Sequence, residues 1–372
     1  MAKDFVVTPW KVEGDVDYNR LIKEFGTEHL DDALLHRIKK LTGELHPFLR
    51  RKIFFSHRDM NWLLDEYEKG NKFYLYTGRG PSGNTHIGHL VPWLFTKWLQ
   101  DKFDVPLSFQ MTDDEKFLFK DNLSLEATNS LAYENALDVI ALGFKIGKTH
   151  IFADTDLSKT LYKNALLVAK KITVSTTKAV FGFNDSNNIG ELFFTSMQAV
   201  PAFLPSVLKG KNIPCLIPHA IDQDAHFRIA RDVLPKLGFY KPAAIHCRFL
   251  PALGIGGKMS ASDKDSAIYT TDSADEIEKK VKKYAFSGGR ATVEEHRKLG
   301  GNPDIDVPYQ WLTFFEEDDS KLKKIHDDYK SGKLLSGELK LILIEKLQSF
   351  LKEHQRKRES ARKVLDKYIL KD

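Results

Sequence analysis

Between Lys72 and about Leu253 short apolar runs alternate with helical periods, and that alternation restricts the possible folds more than any other feature of the chain. KFYLYTG (72–78) has the composition of a compact strand, GRGPSGNTHIGHL is a Gly/Pro/Ser-punctuated loop, and VPWLFTKWLQDKF carries aromatic residues at helical spacing. VPLSFQMTDDE is a second strand candidate, followed by helical periodicity through 127–144. IPCLIPHAI, DAHFRIARDVLPKLG and AAIHCRFLPAL repeat the cycle. Strand and helix in regular succession predict an α/β fold built on a parallel sheet.

The flanks differ. DFVVTPWKVEGDVDY reads as a short hairpin, and about Tyr18 to Tyr67 reads as helices laid before the main domain. After Thr271 strand signals fade, and ADEIEKKVKKYAF, QWLTFFEEDDSKLKKIHDDYKSG and the long terminal run are helical in period, which predicts an all-α unit. The expected division is therefore 1–71 as an N-terminal extension, 72–271 as the α/β domain and 272–372 as a helical domain whose last residues can return to the sheet.

A length of 372 residues fits two domains, and 42% hydrophobic content describes a chain that packs. Lys and Arg number 56 against 51 Asp and Glu, a net charge of +5, which excludes a polycation but allows a local basic face. Cys215 and Cys247 have no CxxC partner and no cluster of histidines around them. That excludes a zinc ribbon or disulfide framework, and no metal-ligand set is expected elsewhere. Without a signal-like or membrane-length apolar run, a cytoplasmic protein with no membrane partner is expected.

Two loops carry the chemistry. In the first, Gly78, Gly80, Gly83 and Gly88 let the backbone approach a ligand, and the helix that follows offers free N–H groups to phosphate. His86 and His89, three apart on its first turn, face one side and can donate to phosphate oxygens. The loop lacks the Gly-Lys-Ser/Thr of a P-loop and the strict dinucleotide fingerprint. By itself it also fits an ordinary strand-to-helix connection. The second loop, Gly256-Gly257-Lys258-Met259-Ser260-Ala261-Ser262, places a lysine and two hydroxyls on a Gly-led segment able to bring a cation to developing pyrophosphate.

Together, in this order and separated by an α/β stretch, THIGH and KMSAS resemble the paired signatures of class I aminoacyl-tRNA synthetases. The wording of FLRRKIFFSHRDMN, YLYTGRGPSG, QMTDDEKFLFK, LIPHAIDQDAHFRIARDV and AFSGGRATVEEHRKLGGNPDIDV resembles the tryptophanyl-tRNA synthetase family of eukaryotic and archaeal type. The segments span nearly the whole chain. The resemblance implies a Rossmann-like catalytic domain with a helical anticodon-binding domain, ATP as substrate with Mg²⁺, L-tryptophan and tRNA(Trp) as partners, and a homodimer.

It also implies residue roles. Tyr76 and Gln110 would meet the indole N–H, and Glu115, Gln198 and Gln223 would hold the ammonium and carboxylate ends. Asp222 would take the ribose hydroxyls, with helix capping by Asp222 or Asp224 as the structural alternative. Arg79, Gly80, Gly88, Lys258, Met259, Ser260 and Ser262 would surround ATP, with His86, His89 and Lys258 as the catalytic groups. In the helical part, Arg290 in the SGGR turn, with Arg356 and Arg358 on the basic terminal helix, would contact tRNA. The alternatives are a tyrosyl-tRNA synthetase, against which QMTDDEK argues, or a non-catalytic nucleic-acid-binding protein on the same fold.

Overall fold

The computed structural model describes residues 5–9, 12–14, 16–254, 259, 265 and 267–372. Among these residues the strands are β1 (Val6–Val7), β2 (Val12–Glu13), β3 (Glu28–His29), β4 (Phe54–Arg58), β5 (Tyr74–Arg79), β6 (Leu107–Met111), β7 (Thr149–Ala153), β8 (Cys215–Ala220) and β9 (Ala243–Cys247). β1 and β2 pair antiparallel as the expected hairpin. The others form one sheet in the order β3-β4-β9-β8-β5-β6-β7, parallel from β9 through β7.

The parallel strands are apolar and buried along nearly their whole length, as strands covered by helices on both faces must be. The chain places β5 at the centre, winds outward through β6 and β7, then returns to lay β8 against the other side of β5. The strand order reverses between β5 and β8, so a crevice opens there at the carboxyl ends of the strands.

Three strands are absent from the sequence reading. The 18–67 segment is not purely helical: β4 pairs antiparallel onto β9 and β3 antiparallel onto β4, which extends the sheet. FFSHR lies between strongly helical stretches, and its five residues are too few to show a period of their own. β7 was hidden in the same way behind the helix Leu125–Ala141.

Helices from Ala274 onward pack through the same hydrophobic cluster that covers the sheet: Trp311, Leu343 and Leu347 join Phe54, Phe95 and Ile245 in one core. The indole N–H of Trp311 donates to the Pro251 carbonyl at 2.9 Å. The chain end then returns to the sheet. Ile151 N–H donates to Tyr368 O and Leu370 N–H to Ile151 O, both at 2.8 Å, so the last residues cover the open edge of β7.

Candidate active site

A cleft of about 320 Å³ sits at the β5/β8 reversal, within the range of small-molecule sites. It is lined by Thr77, Gly78, Arg79 and Gly80 from β5 and the loop after it, by His86, Gly88 and His89 from the following helix, and by His219, Ala220, Asp222 and Gln223 after β8. Glu115, Lys116, Gln198 and Met259 complete it.

The first loop is held from both ends. The Arg79 guanidinium donates to Gly83 O at 3.0 Å and Asn84 O at 3.1 Å, and its Nε bonds Asn135. Burial pushes the Arg79 pKa down to about 10, still well above neutrality. Its Nη1 has no hydrogen-bond partner among the described residues. Arg79 therefore fixes the loop as well as facing the cleft. At the other end, Ile87 N–H donates to Ile268 O and Thr270 N–H to Thr85 O, tying the helix start to the segment just past the second loop.

His86 is the N-cap of helix Ile87–Phe103, and its ring stacks on that of His89 with centroids 3.5 Å apart. His89 Nδ1 accepts the His86 backbone N–H at 3.2 Å, which leaves Nε2 carrying the proton when the ring is neutral. The side chain is thus set to donate from Nε2. A Cβ on Gly88 would sit 3.1 Å from His86 Nδ1 and 3.7 Å from the Met259 methyl, so the absence of a side chain permits this packing. Of the second loop, Met259 is described, buried and in the cleft. Lys258, Ser260 and Ser262 lie outside the described residues.

Tyr76 and Gln110 do not line the cleft: both are fully buried on the same face of neighbouring strands, Gln110 opposite Gly78, where any Cβ would come 2.7 Å from Gln110 O, and Gln198 stands between them and the open space. The Tyr76 hydroxyl donates to Gln110 Oε1 at 2.5 Å, and Gln198 Nε2 donates to the Tyr76 hydroxyl at 2.6 Å and to Gln110 Oε1 at 3.1 Å. Burial raises the Tyr76 pKa well above its usual value, so the hydroxyl keeps its proton.

Glu115 follows on helix Asp113–Leu118. Burial pushes its carboxyl up, but Lys116 at 2.6 Å and the Thr112 hydroxyl at 2.6 Å outweigh that and hold it below the usual range. Gln223 Nε2 donates to Pro9 O at 3.3 Å, so the N-terminal hairpin touches the site through a residue expected to hold substrate.

Asp222 is buried on the cleft wall in the turn Ile221–Gln223. Asp224 makes no helix-capping bond. Both its oxygens take the Arg58 fork at 2.8 Å, and His246 Nε2 lies 3.3 Å from Oδ1.

Sequence reasoning missed Lys116, whose side chain fills the space a Cβ on Gly80 would need. A lysine beside a glutamate reads as an ordinary surface pair, and only the fold turns it toward the loop. It also missed His219, whose Nδ1 bonds Ala220 O at 2.9 Å and whose Nε2 has no hydrogen-bond partner among the described residues. Burial pushes its pKa down to about 3, so the ring is neutral.

Two of the three arginines expected to meet tRNA are exposed: Arg290, whose Nε donates to Gly300 O, and Arg356, paired with Glu353 at 2.7 Å. Arg358 is a correction. It is 11% exposed and bound to Glu134 at 2.9 Å and Asp138 at 3.2 Å, docking the terminal helix onto helix Leu125–Ala141.

Comparison with known proteins agrees with this geometry. The family model for class I tRNA synthetases of the W and Y group matches residues 68–352. The tryptophan--tRNA ligase of Saccharolobus solfataricus is 51% identical over 367 residues, covering 98% of this chain and 95% of the relative. The human cytoplasmic tryptophan--tRNA ligase is 53% identical, covering 96% of this chain and 79% of the relative. Among solved structures, the Plasmodium falciparum tryptophanyl-tRNA synthetase superposes with a TM-score of 0.90 at 45% identity, covering 95% and 97% of the two chains. An Encephalitozoon cuniculi enzyme solved with tryptophan gives 0.88 at 41% identity, covering 96% and 99%. The chain belongs to the class I aminoacyl-tRNA synthetases, in the tryptophan--tRNA ligase branch shared by archaea and eukaryotes.

Proposed function

We propose that the cleft performs both half-reactions of tryptophan--tRNA ligation, with the roles that follow. The observation that carries this reading is the convergence, at one strand-order reversal, of a phosphate loop with its two histidines and Gln198, which lines the cleft and bonds the buried Tyr76 and Gln110 behind it. An oxygen of the tryptophan carboxylate attacks the α-phosphorus of ATP, the bond to the β-phosphate breaks, and pyrophosphate leaves. The adenylate carbonyl is then attacked by a hydroxyl of the tRNA 3′-terminal ribose, which loses its proton as AMP departs.

No side-chain nucleophile is required, so the residues work by placement and charge. His86 and His89 donate to phosphate oxygens, Arg79 adds positive charge from within the loop it fixes, and Lys258 from the second loop meets the charge that develops on pyrophosphate. Asp222 takes the ribose, Glu115 the substrate ammonium, and Gln223 the carboxylate end. Tyr76 and Gln110 receive the indole N–H.

Mg²⁺ travels with the nucleotide, where it neutralises phosphate charge. His219, Asp224 and His246 gather within 4.8 Å among the described residues, but Arg58 holds both Asp224 oxygens, so this group does not fit a hard oxygen-seeking cation.

The test is ATP–pyrophosphate exchange with tryptophan, tyrosine or neither. Tryptophan-dependent exchange is expected, and exchange with tyrosine alone would overturn the assignment of the pocket.

For tRNA we propose the 272–372 region as the contacting unit, with Arg290 and Arg356 on its exposed side. Arg356→Ala is expected to lower the salt slope of tRNA binding by about one and leave exchange unchanged. An unchanged slope would remove Arg356 from the interface.

We further propose a homodimer through helices Ser158–Ala169 and Ile189–Met197, in cytoplasm. No described helix is long and apolar enough to cross a membrane. Tyr162 and Leu166 lie one turn apart on one helix and Ile189 and Phe193 one turn apart on the other, with the Tyr162 and Phe193 rings 6.2 Å apart. Ile189 is 84% exposed, a face that association would cover. Leu166→Glu with Ile189→Glu is expected to halve the mass in sedimentation equilibrium.

A further inference from the structure

An amide that recognises a ring N–H must present its oxygen, and a glutamine has no intrinsic preference for which end faces a ligand. Something in the protein has to choose. Resting on the assignment of Gln110 to the indole, we propose that Asp154 is a specificity-determining positioning residue, which holds the Gln110 side chain with its carbonyl oxygen toward the substrate.

The geometry begins with the register. Gln110 on β6 lies opposite Phe152 on β7, and Asp154, two residues further on, falls on the same face of the sheet. Asp154 N–H donates to Met111 O at 3.1 Å, which keeps the residue against the end of β6. Gln110 Nε2 then donates to both Asp154 oxygens at 2.9 Å. Gln110 is 0% exposed and Asp154 1% exposed, so no water competes for the amide.

With its NH₂ end fixed, Gln110 turns Oε1 toward Tyr76 and Gln198, which line up on it as donors. An indole N–H that takes the place of the Gln198 amide on Oε1 meets an acceptor whose orientation is already fixed.

The charge on Asp154 is arranged to allow this. Burial, followed by the neighbouring Asp114 carboxylate, raises the Asp154 pKa well above the usual range, and Asp114 itself rises to about 7. Asp113 adds to the same cluster, its own oxygens occupied by Thr155 and Asn129. Asp154 is also hydrogen-bonded to Asp114, while both of its oxygens accept from Gln110 Nε2. Asparagine keeps one of the two acceptor oxygens toward Gln110 and can turn its NH₂ toward Asp114. Alanine does neither.

The experiment compares tryptophan with β-(3-benzothienyl)alanine, in which sulfur replaces the ring N–H, by pyrophosphate exchange on the full chain. Asp154→Ala is expected to raise the KM for tryptophan about tenfold and cut the tryptophan/analogue ratio of kcat/KM by tenfold or more, with the KM for ATP within about twofold. Asp154→Asn is expected to keep the ratio within about threefold. If alanine prevents folding, Asp154→Ser takes its place with the same expectation.

An alanine or serine variant that loses activity equally on both substrates, leaving the ratio intact, would reduce Asp154 to a structural role. So would an asparagine variant whose ratio collapses. Failure of the wild type to exchange with tryptophan would instead sink the assignment of the pocket, before Asp154 is tested.

Discussion

Glu115→Gln lowers kcat/KM for tryptophan in pyrophosphate exchange by about 10²–10³-fold, with the KM for ATP changed by no more than about threefold. The argument rests on the state of the carboxylate. Burial alone would protonate Glu115, but Lys116 and Thr112 hold it ionised, so a neutral amide removes a full charge from an enclosed wall. A substrate ammonium entering that space would be left without its counter-charge, and the penalty for an unpaired buried charge exceeds the value of an ordinary hydrogen bond. Lys116 loses its partner too and is free to swing against the phosphate loop it already crowds at Gly80. Because the folded carboxyl titrates below the usual range, the wild-type contribution is present at neutral pH and fades only as acid protonates it. Steady-state exchange at varied tryptophan and at varied ATP separates the two effects. A loss of less than about fivefold in kcat/KM for tryptophan would mean that the ammonium is held elsewhere.

What the sequence reveals depends on whether a signal is local. The five parallel strands, apart from β7, announce themselves because each is a short apolar run between punctuated loops. The THIGH and KMSAS segments stand out because glycines and histidines have few reasons to cluster. The contribution of β3 and β4 to the sheet is not readable, since antiparallel pairing of β4 onto β9 joins residues nearly 190 positions apart. Arg358 shows the opposite difficulty. A run of basic residues on a helix suggests a face for polyanions, but the partners of Arg358 and Arg362, Glu134 and Asp138, are on a helix more than 200 residues upstream. Charge is visible in sequence, whereas whether it is neutralised within the fold is not. Much of the SGGR and GGNPD wording likewise serves packing: Asp306 accepts from Gly288 N–H at 2.8 Å and from the Tyr329 hydroxyl at 2.7 Å, leaving Arg290 exposed on the same turn.

Arg58→Ala destabilises the fold by about 3–5 kcal/mol at pH 7.5, the cost of breaking a buried ion pair from one side. Asp224 is 0% exposed and receives both arms of the Arg58 guanidinium, which itself donates onward to Phe25 O and Gly26 O. The arginine thus joins the N-terminal helix end, β4 and the turn that carries Asp222 and Gln223. In the wild type, burial works to raise the Asp224 pKa, but Arg58 and His246 overcome it and hold the carboxyl far below its usual value. Stability from this pair is therefore present above the unfolded carboxylate pKa of about 4 and is lost as pH falls below it. Without Arg58 the sign reverses. Burial then acts without the arginine to offset it, and Asp224 binds a proton more readily folded than unfolded. The deficit of the variant should consequently shrink between pH 7.5 and pH 5.0, while Arg58→Lys, which keeps the charge and loses the fork, falls between the two at both pH values. Urea unfolding followed at the two pH values measures this directly. A deficit that stays constant with pH would show that Arg58 stabilises the fold through packing and its carbonyl contacts, with the charge of Asp224 already compensated by other means.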